Sequence, residues 1–404
     1  MSRAGEVETA LRGARAPASG TLPAPAIRSL AIIGGGTGGH LTPGLSLAER
    51  ALDRFPGSSV LFFRTRRAVE GQVFAGARPE IEVEELDLSP PGRSPISWGL
   101  FLAQAFRASV RISSELRRRR PDALVALGGY PCVPGLWAAR RQRVPIVLLE
   151  QNQTPGRAVR WSSRWADVVA CTGEIARDRL PGGAARGRVV VTGNPLRRSV
   201  LDAAASRAHR RAERRAQDLP RRSERRSVVV VGGSQGARSI NRAIESSLGR
   251  LTSYRSRILW THITGIADKD RMVEAYRRDG WDARVFAYAP DLPAFLAEAD
   301  LVIARAGGTT VAELAAIGAP AVLVPYPHHR DRHQLQNARF LVDAGAAQLL
   351  KEEKMGPEEV HGLIEGLLFD DARLDAMEEA ALQVARPDAA DRVLDAILRL
   401  KGEG

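Results

Sequence analysis

Cysteine is almost missing from this chain. Among 404 residues only Cys132 and Cys171 occur, and neither stands in a metal or redox spacing. This speaks against a disulfide framework and fits a reducing compartment. Long apolar runs are missing too. The longest uncharged stretch, Ala123–Ala139, is broken by Gly128, Gly129, Pro131 and Pro134. It falls short of the ~20 apolar residues that a membrane span needs. Residues 1–27 contain no apolar core of signal-peptide length and read as a disordered extension. No glycine loop continues into G-K-[S/T], so there is no Walker loop. The one D-x-D, Asp268-Lys269-Asp270, opens a charged helical pattern and does not close an apolar strand. It reads as solvated surface, and a metal-held diphosphate is not expected.

What is present points to a two-domain α/β protein. Apolar residues make up 44% of the chain, and its length suits two domains of roughly 100–200 residues. The net charge of +13 is almost all an excess of arginine. Part of that reflects a coding bias toward Arg and Ala; the rest suits an anionic partner such as nucleic acid, lipid headgroups or phosphorylated substrates. Apolar runs at 29–33, 59–63, 123–127, 145–150, 167–170 and 188–193 alternate with helical patterns. Strands that are apolar throughout imply a parallel sheet covered on both faces. A basic stretch at 202–227 interrupts the alternation, and its middle reads as a solvated helical insertion or linker. Strand-like runs resume at 227–233, 257–265, 283–290, 300–307 and 320–327. The expected layout is an N-terminal domain over 28–196, a linker over 197–227, a second doubly wound domain over 228–385, and a final amphipathic helix within 386–404.

The chemistry-bearing stretches fall at the ends of these strands. "GGGTGGH" (34–40) joins a strand to a helix. Backbone N–H groups at such a helix start attract anions, and His40 beside them is either a helix-capping residue or a general base. No acidic residue ends the second strand, which closes "FFRTRR", so a dinucleotide ribose has no partner there. "GGYPCVPG" (128–135) is a second glycine turn; two such turns side by side can hold a diphosphate, or this one is only a flexible connection. Glu150, Gln151 and Asn152 leave another strand and face either a ligand or the neighbouring loop. Arg197 in "GNPLR" can reach a phosphate or be one more surface arginine. "GGSQGA" (232–237) offers the Ser234 hydroxyl and amide donors to a phosphate. Gly307 to Thr310 open a helix, and Glu313 one turn on can accept two ribose hydroxyls. His328, His329, Asp331, His333, Gln334 and Asn337 cluster next; H-x-D-x-H can bind a metal, but the segment equally suits a sugar, and no metal is expected.

Taken in order, "GGGTGGH … GGYPCVPG … EQN … GNPLR … GGSQGA … RAGGTTVAE … DRHQLQN" resembles the MurG family of bacterial glycosyltransferases over about residues 28–400. The resemblance implies a GT-B fold: two Rossmann-like doubly wound domains facing a cleft, the N-terminal one for the lipid-linked acceptor and the C-terminal one for UDP-GlcNAc. It implies inverting transfer of GlcNAc to the 4-hydroxyl of MurNAc in an undecaprenyl-pyrophosphoryl-MurNAc-pentapeptide, lipid I, during peptidoglycan synthesis. No cofactor and no nucleic-acid partner follow from it. His40 matches the candidate base. Thr37, Gly38, Gly39 and Asn152 approach the donor; Arg197 and Ser234 hold its diphosphate; the Ala289 backbone meets the uracil. Gly308, Thr309, Thr310, Val311, Ala312 and Glu313 line the nucleotide, and Gln334 contacts the sugar. Gly35, Gly36, Gly128, Gly129 and Tyr130 form the acceptor diphosphate loops. Leu149 departs from the family, many of whose members carry His there. A lipid acceptor requires a bilayer, so residues 95–120 are expected to face an anionic membrane, at the cytoplasmic side of the inner membrane. Ile96, Trp98, Phe101, Leu102 and Phe106 supply apolar contact there, with Arg107 and Arg111 meeting headgroups. An ordinary core-facing helix with a basic end is the competing reading of that segment.

Overall fold

The computed structural model describes residues 27–402 except 36–37, 93, 182–187, 219–221, 234–235, 290 and 329–331. Chain contacts divide the described residues into two compact units: 27–197 with 386–402, and 198–385.

In the first unit the strands are β1 Ser29–Ile33, β2 Ser59–Thr65, β3 Ile81–Leu86, β4 Ala123–Ala126, β5 Ile146–Glu150, β6 Val168–Cys171 and β7 Val189–Val191. Their spatial order is β3-β2-β1-β4-β5-β6-β7, with every pairing parallel. Successive side chains of β1 feed opposite layers: Ala31 and Ile33 enter one core, Leu30 and Ile32 the other. Both faces are buried, which is why the strand is apolar from Leu30 to Ile33. The second core includes Leu47, Ala51 and Leu52 of the helix Gly38–Arg54 and Val393, Leu394 and Ile397 of the helix Ala389–Gly402. Ion pairs between Arg50 and Asp391 (3.0 Å) and between Arg54 and Asp395 (2.6 Å) fix the two helices together. The end of the chain thus packs on the first unit.

The second unit contains β8 Arg226–Val231, β9 Ile258–Ile263, β10 Ala283–Phe286, β11 Leu301–Ala304, β12 Ala321–Leu323 and β13 Ala347–Leu349, ordered β10-β9-β8-β11-β12-β13. This sheet is also all parallel. In each unit the strand order reverses beside its first strand, between β1 and β4 and between β8 and β11. Ligands of open parallel sheets bind outside the carboxyl ends at such a reversal.

Two sequence expectations are corrected here. The basic stretch is helical, and its middle, 208–218, is mostly exposed, but it is not solvated throughout: Arg207 before that middle and Arg222 after it are buried. Residues Arg198–Ala216 form a helix that buries Val200, Ala203 and Arg207. Arg207 donates to the carbonyls of Ala297 (2.9 Å) and Ala299 (2.7 Å), and buried Arg222 pairs with Asp375. These two buried arginines meet acceptors distant in the chain. Nor is Asp268 surface: it is 7% exposed and accepts from Asn241 Nδ2 at 2.8 Å.

Candidate functional site

In the first unit three turns meet at the carboxyl edge of the sheet. The Leu127 N–H donates to the Ile33 carbonyl at 2.9 Å, joining the β1 and β4 turns. The Cys132 thiol, at 3.0 Å from Gly128 O and 3.4 Å from Ile33 O, spans the same pair. Gly128 and Gly129 adopt φ +88° and +80°, the left-handed region that glycine enters at little cost. A side chain on Gly34 would meet Leu127 at 2.7 Å, so the close approach of the turns also demands glycine. Gln151 Nε2 donates to Leu127 O at 3.1 Å and ties in the β5 turn.

Glu150 organises that third turn. Its carboxylate accepts from Asn152 N (2.8 Å), Asn152 Nδ2 (3.2 Å) and Gly156 N (3.0 Å). Burial pushes its pKa up to about 7, against these bonds, which favour the charged form. The sign for stability follows. Above pH 4.5 the carboxyl ionises in the unfolded chain, while in the fold it keeps its proton until about pH 7. The unfolded state therefore gains on the folded one across that window, by about 3 kcal/mol in total. Glu150→Gln is expected to remove this slope: the stability of the variant minus that of the parent should rise between about pH 5 and 7.5 and then level off. Urea midpoints across pH measure it, and parallel curves would contradict it.

His40 lies in the first turn of the helix Gly38–Arg54 and is half-buried; Gly38 opens that helix and Gly39 is exposed beside it. Gly36 and Thr37 lie outside the described residues. Tyr130 is half-buried under Phe101 (ring centroids 6.3 Å apart), with the Arg67 guanidinium 5.9 Å from its ring. Its hydroxyl has no hydrogen-bond partner among the described residues. Arg197, half-buried, follows β7 and helps to hold down the pKa of Glu49, which burial raises. Two side chains not singled out from sequence also stand at this edge. Glu70 is fully buried and accepts from Thr65 N (2.8 Å) and Thr65 Oγ1 (2.5 Å), next to Gly35. Asn194 is 3% exposed with neither amide atom bonded among the described residues.

In the second unit the turn after β8 is equally tight. A Cβ on Gly232 would lie 2.4 Å from Ala237 N, and Gly233 and Gly236 take φ +86° and +76°. Ser234 lies outside the described residues. Across the reversal, Gly307 is the N-cap of the helix Gly308–Ile317. Thr309, Thr310 and Ala312 are half-buried, whereas Val311 and Glu313 are buried. The Val311 side chain therefore packs inward, and only its backbone is placed to line a ligand. Gln334 Oε1 accepts from Tyr326 N at 2.9 Å, and Asn337 Nδ2 donates to Ala306 O at 3.1 Å. Ala289 is buried after β10. His329 and Asp331 lie outside the described residues. Among the described residues no group of three or more His, Cys, Asp or Glu side chains can hold a metal ion. Sequence reading passed over Arg305. It donates to Val324 O (3.1 Å) and Ser239 Oγ (2.8 Å), pairs with Glu352 and lies 5.4 Å from the Tyr326 ring. It thereby ties the β8, β11 and β12 turns together.

The helix Pro95–Arg119 turns a second apolar stripe outward. Phe101 is not part of it: at 5% exposure it packs in the core, while Leu100 and Val110 join Ile96, Trp98, Leu102 and Phe106 on the exposed side. Arg107 is exposed, and Arg111 is paired with Glu84. Among the described residues no helix is long and apolar enough to cross a membrane.

Two Rossmann-like parallel sheets, each with glycine turns at its strand-order reversal, define the GT-B fold. The chain belongs to glycosyltransferase family 28, whose N-terminal domain model matches residues 30–171 and whose C-terminal domain model matches residues 227–393. It is 37% identical over 380 residues, 91% of this chain and 98% of the relative, to a Pelobacter propionicus protein. That relative is named UDP-N-acetylglucosamine–N-acetylmuramyl-(pentapeptide) pyrophosphoryl-undecaprenol N-acetylglucosamine transferase. A Nitratidesulfovibrio vulgaris protein of the same name is 38% identical over 379 residues, 93% of this chain and 98% of its own. Among solved structures, Acinetobacter baumannii MurG superposes with a TM-score of 0.70 at 27% identity, over 92% of this chain and 99% of that one. A UDP-GlcNAc 2-epimerase from Neisseria meningitidis shares the fold (TM-score 0.63, 13% identity, 92% and 100% coverage).

Proposed function

We propose that this chain transfers GlcNAc from UDP-GlcNAc to the 4-hydroxyl of MurNAc in undecaprenyl-pyrophosphoryl-MurNAc-pentapeptide. The observation that carries the reading is similarity along nearly the whole chain, at 37% identity and 98% of the relative's length, to transferases named for this reaction. The site chemistry agrees with it. The acceptor oxygen forms a bond to the anomeric carbon as the bond from that carbon to the UDP oxygen breaks, inverting the configuration. His40 takes the hydroxyl proton. The charge left on UDP is met by amide donors at the Gly232–Ala237 turn and at Gly308, with Ser234 and Arg197. Thr37, Gly38, Gly39, Asn152, Glu313 and Gln334 position the donor. Gly35, Gly36, Gly128, Gly129 and Tyr130 receive the acceptor's diphosphate. No metal takes part, so EDTA should leave the rate unchanged. With labelled UDP-GlcNAc and a short-chain lipid-pyrophosphoryl-MurNAc analogue, UDP release should require the acceptor. Release or sugar isomerisation without acceptor would overturn the assignment.

The enzyme acts from the cytoplasmic face of the inner membrane, bound peripherally. The outward stripe Ile96, Leu100, Leu102, Phe106 and Val110 supports this, with Arg107 and the arginines at the end of that helix beside it. Leu102→Ser with Phe106→Ser is expected to reduce flotation with anionic vesicles about tenfold or more and to leave the folded structure intact. Phe101→Ser should instead unfold the unit. Undiminished flotation of the double variant would retire the patch.

A further inference from the structure

The turn after β8 rests on a buried polar chain. The Thr264 carbonyl, at the end of β9, lies 2.4 Å from where a Cβ on Gly236 would stand. The same oxygen accepts from Asn241 Nδ2 at 3.0 Å, and Nδ2 also donates to Asp268 Oδ2 at 2.8 Å. A carbonyl and a carboxylate are acceptors, so the Asn241 amide can only be oriented with nitrogen toward them and Oδ1 away. Oδ1 lies 3.0 Å from His262 Nε2, so that nitrogen carries the proton. Nδ1 is then a bare acceptor, and the Tyr276 hydroxyl at 3.1 Å donates to it. Asn241 and His262 are fully buried, and burial drives the His262 pKa down to about 3, leaving the ring neutral. The chain has one direction: Tyr276 to His262 to Asn241, and from there to Thr264 and Asp268.

We propose that His262 is a positioning residue for the sugar-nucleotide donor: its Nε2–H locks the Asn241 amide, which fixes the Thr264 carbonyl as the seat of Gly236 and so sets the turn that grips the diphosphate. This rests on the reading that the turn binds a uridine diphosphosugar. His262 itself touches no substrate. Without the Nε2–H, the buried Oδ1 loses its donor and the Asn241 amide is held only through Nδ2, by Thr264 O and Asp268 Oδ2, so the seat of Gly236 is less firmly set.

The test uses the full chain with UDP as the calorimetric probe and the transferase assay as the kinetic one. His262→Leu is expected to weaken UDP binding and raise the donor KM about tenfold, as for one lost buried hydrogen bond, with the acceptor KM unchanged. His262→Gln can donate from Nε2 to Asn241 and accept at Oε1 from Tyr276, so it should restore UDP affinity to within about threefold. His262→Glu, assayed at high pH where the carboxyl is ionised, turns an acceptor oxygen toward Oδ1 and should behave like leucine. Nitrogen NMR of the parent should find Nε2 protonated and Nδ1 bare from about pH 5 to 8. A folded leucine variant with parental UDP affinity, a glutamine variant no better than glutamate, or an Nδ1–H tautomer would overturn the proposal. If the leucine variant does not fold, the glutamine–glutamate pair and the tautomer decide. Failure of the parent itself to bind UDP would overturn the donor reading, and this proposal with it, while leaving the tautomer measurement distinct.

Discussion

Replacing Gly236 with alanine is expected to abolish UDP binding and to destabilise the second unit by about 3 kcal/mol or more. Two costs add. The residue stands at φ +76°, a conformation costing an L-residue about 1–2 kcal/mol. The new methyl would also lie 2.4 Å from Thr264 O, 3.1 Å from Gly265 Cα and 3.2 Å from Thr264 C. All three are backbone atoms, so no rotamer change relieves the clash. Nor can Thr264 easily retreat, since its N–H donates to Phe286 O at 2.9 Å and its hydroxyl to the same oxygen at 3.2 Å. The methyl must therefore push Gly236 off its seat and shift the end of the turn to which the proposed function assigns the donor diphosphate. Two companions separate the costs. Gly233 has φ +86° with open space around it, so Gly233→Ala should show only the conformational cost. Gly249 has neither strain nor neighbours, so Gly249→Ala should be silent. Urea midpoints and UDP calorimetry measure the series. A Gly236→Ala protein with parental stability and UDP affinity would refute the argument.

What could be read from sequence follows from how local its causes are. β1, β4 and β5 are legible because both faces of each are covered, leaving polar residues only at a strand end, Ser29 in β1 and Glu150 in β5. β3, "IEVEEL", escapes notice because it is an edge strand carrying Glu82, Glu84 and Glu85, whose charges are met by Arg119, Arg111 and Arg64. β13 has three residues and little pattern to show. The glycine turns are legible because positive φ and close approach demand glycine wherever they occur. Arg305, Asn241 and His262 are not, because each is defined by partners many residues away. The helix Pro95–Arg119 is apolar on its inner and outer sides, so periodicity alone cannot say that Phe101 faces in and Phe106 out. Likewise the charge count of the 202–227 segment hides the carbonyls and carboxylates that take up Arg207 and Arg222.

Exchange of His40 for alanine is the second large effect: kcat should fall about 10²–10⁴-fold, with UDP affinity and donor KM nearly unchanged. The expectation rests partly on elimination among the titratable groups around the turns. Cys132 and Cys171 are buried with pKa values pushed up to about 12, so neither supplies a thiolate at neutral pH. The Glu150 carboxylate is committed to Asn152 and Gly156 and is closed off from solvent. His262 is neutral and both of its nitrogens are engaged. His40 differs from all of these. It lies in the first turn of a helix beside the β1 turn and is only half-buried, so a hydroxyl brought to the turn can reach it. Loss of the ring removes the proton acceptor and leaves the amides that meet the leaving diphosphate, hence the fall in kcat without a change in donor binding. Added imidazole should restore part of the rate to His40→Ala, which a merely structural role would not allow. Full turnover by a folded His40→Ala protein would transfer the proton to water or to a group outside this list.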